Sequence, residues 1–119
     1  MTDATTTQTL KTITRFNEAF NAHDVDGVMA LMTEDVVFEN TSPPPDGERF
    51  VGQEAVRAFW QEFFDSSPRA HFTAEDVFAA GDRATVRWRY SWGNGHVRGV
   101  DVFAVRDGKV SQKLSYVKG

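Results

Sequence analysis

A chain of 119 residues with 40% hydrophobic content suits one domain with its own core and excludes a disordered chain. Seventeen acidic against thirteen basic residues leave a net charge of −4, which argues against nucleic acid as the main partner. Zero cysteines exclude disulfides, thiolate catalysis and cysteine-ligated metal.

No apolar stretch approaches the ~18–20 residues of a membrane span. Residues 1–7 are Thr-rich and lack the basic and apolar regions of a secretion signal. A cytoplasmic protein without membrane contact is therefore expected. Aromatics are 13% of the chain, with ten Phe, three Trp and two Tyr. That is a heavy load for a small acidic domain.

Residues 1–5 are expected to fray. From about Thr6, the residues Leu10, Ile13, Phe16 and Phe20 recur on one helical face. Asn21-Ala22-His23 ends that helix. Asp24 then caps a short second helix with Val25, Val28, Met29 and Met32 on its apolar side. Val36, Val37 and Phe38 predict a strand over residues 36–40. Pro43, Pro44 and Pro45 exclude helix and central strand from residues 41–48, which form an extended loop. Gly52 opens a third helix with the apolar stripe Val56, Phe59, Trp60, Phe63 and Phe64. Pro68 lies just beyond its end.

After Pro68 the chain reads as strand over residues 70–79, 83–92, 96–106 and 109–117. Gly81-Asp82, Gly93-Asn94-Gly95 and Asp107-Gly108 mark the turns. Three helices followed by an antiparallel meander, with one earlier strand, give an α+β single domain over residues 1–119.

Alternation sorts the faces. Ala84, Val86, Trp88, Tyr90 and Trp92 share one face and should meet the helices. Arg87 and Arg89 point the other way. In the next strand Val97, Gly99, Asp101, Phe103 and Val105 oppose Arg98, Val100, Val102, Ala104 and Arg106. A strand apolar on both faces expects two covers, a helix layer and a second subunit. Lys113 shares a face with Ser115 and is expected to be exposed. Asp101 is the anomaly, a carboxylate between two valines in a central strand. It must be hydrogen-bonded, paired or neutralised. Either it is a functional group in a cavity, or it pairs with an arginine such as Arg87 or Arg89 or caps the backbone.

Several segments carry a family resemblance. They are Arg15-Phe16-Asn17-Glu18-Ala19-Phe20-Asn21-Ala22-His23-Asp24-Val25-Asp26-Gly27, Phe38-Glu39-Asn40, Gly52-Gln53-Glu54-Ala55-Val56-Arg57-Ala58-Phe59-Trp60, Val100-Asp101-Val102-Phe103 and Arg106-Asp107-Gly108-Lys109-Val110. In this order the chain resembles the SnoaL-like and ketosteroid-isomerase-like branch of the nuclear transport factor 2-like superfamily. The resemblance implies a curved, mostly antiparallel sheet wrapped around the helices, a cystatin-like cone with a deep apolar pocket. It also implies a homodimer through the outer sheet face.

Function transfers less directly, because one fold hosts many chemistries. Steroid isomerases of this branch pair a carboxylate base with a Tyr and a protonated Asp at the enolate oxygen. By resemblance, Asp101 falls on that Asp, Phe16 stands at the Tyr position, and Asn40 stands at the base. Phe16 cannot donate and Asn40 cannot take up a proton, so ordinary ketosteroid isomerase activity is not expected. Glu39 points to the face opposite Asn40. SnoaL-like cyclases use a pocket acid for aldol closure, a role open to Asp101 with Asn40, Tyr90 or His71 as orienting groups. The epoxide hydrolases' Arg-x-Asp pair is not matched, since Arg98 lies three residues before Asp101.

The expected site therefore has Asp101 as the catalytic group. Phe16, Phe20, Asn40, Trp60, Trp88, Tyr90 and Phe103 are its ligand-binding wall, and Pro43-Pro44-Pro45 lies at its rim. The expected ligand is a small apolar molecule. No cofactor is expected, and no metal, because His23, His71 and His96 are scattered. A non-catalytic binding domain and a dimeric interaction module stand as rival readings.

Overall fold

The computed structural model describes residues 3–118. Helix α1 (Ala4–Asn21) and helix α2 (Val25–Ala30) lead into β1 (Met32–Glu39) and β2 (Arg49–Val51). Helix α3 (Gln53–Ser66) follows, then β3 (His71–Ala80), β4 (Arg83–Ser91), β5 (His96–Arg106) and β6 (Lys109–Val117). The six strands form one sheet in the order β2-β1-β6-β5-β4-β3. Only β1 and β6 run parallel; the other neighbours are antiparallel. The expected α+β architecture and its meander are present.

Helix α1 begins earlier than the periodicity predicts. Asp3 caps it by accepting from the Thr6 backbone N–H at 2.7 Å. That bond holds the Asp3 carboxyl below its usual pKa. Met1 and Thr2, part of the expected frayed end, lie outside the described residues. The threonines of this turn and the next fasten two hairpins. Thr9 Oγ1 donates to Gly81 O at 2.7 Å, Gly81 N–H donates to Thr6 Oγ1 at 2.8 Å, and Thr12 Oγ1 donates to Gly108 O at 3.1 Å. The three residues lie on one helical face, facing the β3–β4 and β5–β6 turns.

Met32 belongs to β1 and not to the second helix, which ends at Ala30. Gln53 Nε2 sits beneath that end and donates to the Met29, Met32 and Thr33 carbonyls at 2.9–3.2 Å. Strand β2 has no counterpart in the sequence reading. Its three residues are too few for an alternation signal, and pairing with β1 creates it. Phe50 there stacks on Phe38 at 5.9 Å.

The core lies between the helices and the concave sheet face. Ile13 and Phe16 of α1, Val28 and Met29 of α2, and Val56 and Trp60 of α3 meet Phe38, Val86, Phe103 and Val110 of the sheet. Parity holds for β4, where Ala84, Val86 and Trp88 are buried, and for β5, where Asp101, Phe103 and Val105 are. Trp92 falls outside β4 and is exposed, with its ring against Gly95. Strand β6 carries the largest departure. Val105 faces Val110 while Ala104 faces Gln112, so Ser111 is an extra residue, with its Oγ donating to Ala104 O at 3.2 Å. The bulge turns both Val110 and Lys113 inward. Lys113, expected at the surface, is 6% exposed.

The end of α1 is tied to β3 by one side chain. Asn21 Nδ2 donates to Phe72 O at 2.7 Å, and Phe72 N–H donates to Asn21 Oδ1 at 2.9 Å. Asn21→Ala leaves both backbone groups without these partners and should destabilise the fold by about 1–3 kcal/mol. Urea unfolding of the two proteins measures it, with an unchanged midpoint contradicting the role.

Candidate functional site

Helix α3 and strands β1, β3, β4, β5 and β6 leave an opening between them. The opening is a cavity of about 400 Å³. Phe38, Phe59, Trp60, Phe63, Phe72, Trp88 and Tyr90 supply its aromatic wall. Its polar groups are Asn40, Thr41 and Ser42 at the rim and Lys113 and Ser115 from β6. Pro44 lies at the same rim, as expected of the proline segment. The volume is that of ordinary small-molecule sites.

Deeper in lies a recess of about 20 Å³ bounded by Phe16, Asn17, Phe20, Ala74, Val86 and Asp101. That is room for about one water. Phe72, Trp88 and Lys113 border both spaces.

Asp101 sits at the junction, 5% exposed. Its register partner across β5 and β6 is Ser115. Ser115 Oγ donates to Asp101 Oδ1 at 2.6 Å, and Lys113 Nζ lies 3.2 Å from Oδ2. Lys113 also donates to Ser115 Oγ at 3.1 Å, which closes the triangle. Each carboxylate oxygen thus meets a donor, the bonding pattern of an ionised acceptor. The partner is Lys113, not Arg87 or Arg89.

Aromatic faces complete the surroundings of the cation. Nζ is 4.9 Å from the Phe38 ring centre, 5.2 Å from Trp60 and 6.0 Å from Phe20. Such faces attract a desolvated ammonium. Gly99 makes the wall possible, since a Cβ there would lie 2.5 Å from the Trp88 ring and 2.3 Å from Tyr116 O.

The expected wall is only partly one surface. Asn40, Trp60, Trp88 and Tyr90 line the large cavity, while Phe16 and Phe20 line the recess with Asp101. Phe103 lines neither space; it is 1% exposed and packs edge-on to Phe16 at 5.7 Å. His71 is exposed and away from the cavity, because its neighbour Phe72 takes the inward position. Glu39 faces outward and pairs with Arg49 at 2.8 Å. Arg98 likewise points away from Asp101 and pairs with Glu75 at 2.9 Å, a hydrogen bond that holds the Glu75 carboxyl below its usual pKa. His23 is structural: its Nε2 bonds Ala70 O at 2.8 Å and its ring stacks on Phe64. Among the described residues no group of three or more His, Asp or Glu has metal-site geometry.

Lys113 and Ser115 are the site residues that sequence reasoning missed. Alternation along the sequence placed the two on one face, but the bulge that turns this face inward was not visible.

A cone of helices inside a curved sheet, open at one end, is the nuclear transport factor 2-like fold. The model of the SnoaL-like domain matches residues 13–113, and the chain belongs to that family. An NTF2-like protein of unknown function from Mesorhizobium loti is 40% identical, with a TM-score of 0.88 over 100% of this chain and 98% of that one. A ketosteroid isomerase candidate from Kribbella flavida is 25% identical, with a TM-score of 0.83 over 96% and 80% of the two chains. A SnoaL-like polyketide cyclase candidate from Jannaschia sp. CCS1 shares the fold at 22% identity, with a TM-score of 0.83 over 99% and 90%. No curated protein matches the chain in sequence.

Lys113→Met strips Asp101 of its cation and leaves a buried carboxylate. This variant should lose about 3–5 kcal/mol of stability. Lys113→Met combined with Asp101→Asn should recover most of the loss. Denaturant titration of both checks it, and equal losses would contradict a coupled pair.

Proposed function

We propose that this protein binds a small, largely apolar molecule in the cone and performs cofactor-free acid/base chemistry on it, with Asp101 acting through Ser115. The observation that carries the reading is the 2.6 Å bond from Ser115 Oγ to Asp101 Oδ1, made at the wall of the large cavity. A carbon acid held against Ser115 gives its proton to Oγ while the serine's own proton passes to Asp101. The C–H electron pair moves into the neighbouring carbonyl and forms an enolate. Return of the proton to a different carbon is isomerisation. Attack of the enolate carbon on a second carbonyl, with the proton returned to the new alkoxide, is aldol cyclisation. Similarity to isomerase and cyclase candidates supports these two classes. The steroid-isomerase arrangement itself is not reproduced, since Phe16 and Asn40 lack the needed groups.

The test is deuterium exchange beside the carbonyl of a panel of cyclic ketones in D₂O, followed by NMR. Wild type should accelerate exchange of at least one member, and Asp101→Asn should lower that acceleration by about a hundred-fold or more. Equal rates for the two proteins sink the catalytic reading. They would favour binding without turnover, a second reading supported by the placement of Asp101 behind the cavity wall.

A second copy of the chain is proposed to cover the outer sheet face. Val37, Val100, Val102, Leu114 and Tyr116 alternate with the inward residues, and Tyr116 is 55% exposed. A self-complementary apolar patch of this kind suits a two-fold dimer. Sedimentation should give a dimer for wild type and a monomer for Val102→Glu; a wild-type monomer contradicts it. A cytoplasmic setting without nucleic acid or membrane completes the proposal. The net charge of −4 supports it, and among the described residues no helix is long and apolar enough to cross a membrane.

A further inference from the structure

We infer that the small recess behind Asp101 holds one ordered water and is the outlet through which Asp101 exchanges protons with bulk solvent while a ligand fills the cone. The inference rests on the acid/base reading above and names the route by which that chemistry resets.

Size and polarity decide what the recess takes. A volume of about 20 Å³ admits one water and nothing larger. A buried water needs two or more polar partners. Three residues that border the recess carry such groups. Asp101 accepts one hydrogen bond at each carboxylate oxygen and keeps further lone pairs. Asn17 brings an amide with two donors and an acceptor. Trp88 is 6% exposed, and its indole N–H has no acceptor among the described residues. A water removes the cost of that unmade bond. An ion is not drawn in, because Lys113 already neutralises Asp101.

The recess also reaches the surface. Asn17 of α1 is half-buried and Ala74 of β3 is exposed. Strand β3 is the last of the sheet, so no further strand covers it. Its ladder is irregular at this point, with Glu75 an extra residue between the pairs Ala74–Trp88 and Asp76–Arg87. Ala74 places only a methyl group there. The opening therefore lies between α1 and the edge strand.

Asp101 thus has two sides. A ligand in the cone covers Ser115 and Lys113, which line the cavity. The recess side stays in touch with solvent. When Asp101 holds the proton taken through Ser115, that O–H bond breaks toward the recess water. The water releases one of its own protons to solvent beyond Asn17 and Ala74. Asp101 is again a carboxylate, and the water is again neutral. The reverse path delivers a solvent proton to Asp101.

Two measurements on the full chain test this. A crystal structure of the wild type at atomic resolution should show a water in the recess bonded to Asp101 and Asn17, a reading that needs no variant to fold. The second measurement follows deuterium exchange, in D₂O at saturation, of a ketone that the wild type exchanges in the panel above. Ala74→Leu fills the outlet. It should lower exchange by about ten-fold or more, with the ketone's dissociation constant changed by about two-fold or less, because an untraded proton returns to the carbon it left. Ala74→Ser keeps the outlet open and should exchange like the wild type.

A recess without that water overturns the inference and leaves the acid/base reading standing. So does undiminished exchange in Ala74→Leu, an equal loss in Ala74→Ser, or a ketone that Ala74→Leu binds much more weakly. Failure of the wild type to exchange any ketone overturns the catalytic reading and the outlet with it, even where the recess holds its water.

Discussion

Removing an ammonium and a carboxylate from water costs several kcal/mol per ion even after the protein relaxes. The interior of this cone accepts that cost for Lys113 and Asp101, whose side chains are 7% and 8% exposed. Three kinds of contact offset it. The ions face each other, Ser115 bonds to both, and the rings of Phe38 and Trp60 present their negative faces to the cation. Removing any one member leaves a charge or a hydroxyl without its partner. The pair is thus less a source of net stability than a condition that neighbouring residues must satisfy.

That condition reaches outward through the sheet. The extra residue at Ser111 turns Lys113 into the cone and sets Val110 against the core on the same side. Register then places Ser115 opposite Asp101. Gly99, two residues earlier on β5, leaves room for the Trp88 ring, which borders both spaces. The helices complete the arrangement. Phe20 and Trp60, from different helices, meet edge to face at 4.9 Å beneath the ammonium. The threonines of α1 meanwhile fix the hairpin turns at the far end of the same strands.

Much of this was legible because periodicity reports burial. The stripes of α1 and α3 and the alternation of β4 and β5 each span enough residues for a face to be read. Asp101 stood out for the same reason, as a charge at a position that alternation assigned to the core. What stayed hidden depends on contacts between distant segments. β2 exists only because β1 supplies its hydrogen bonds. The inward turn of Lys113 depends on a bulge, and a bulge shifts side chains from one face to the other without a mark in composition. A lysine after a glutamine reads as solvent-facing until the partner strand is known. The aromatic wall divided for a related reason: sequence assigned rings to a face, but depth along the cone separated Phe16 and Phe20 from Trp60 and Tyr90.

Depth also decides what Asp101 can do. A neutral carboxylic acid would act as a donor toward a ligand oxygen, as the resemblance to steroid isomerases implies. Here both oxygens accept, one from Ser115 and the other from the ammonium of Lys113. The site is therefore organised with the roles exchanged. The cationic donor and the hydroxyl stand at the cavity wall, and the carboxylate stands behind them. In the proposed reaction a proton leaving a ligand would meet Ser115 first, and negative charge developing on a ligand oxygen would meet Lys113. Under that proposal base and electrophile stand side by side at one wall, as enolate chemistry needs.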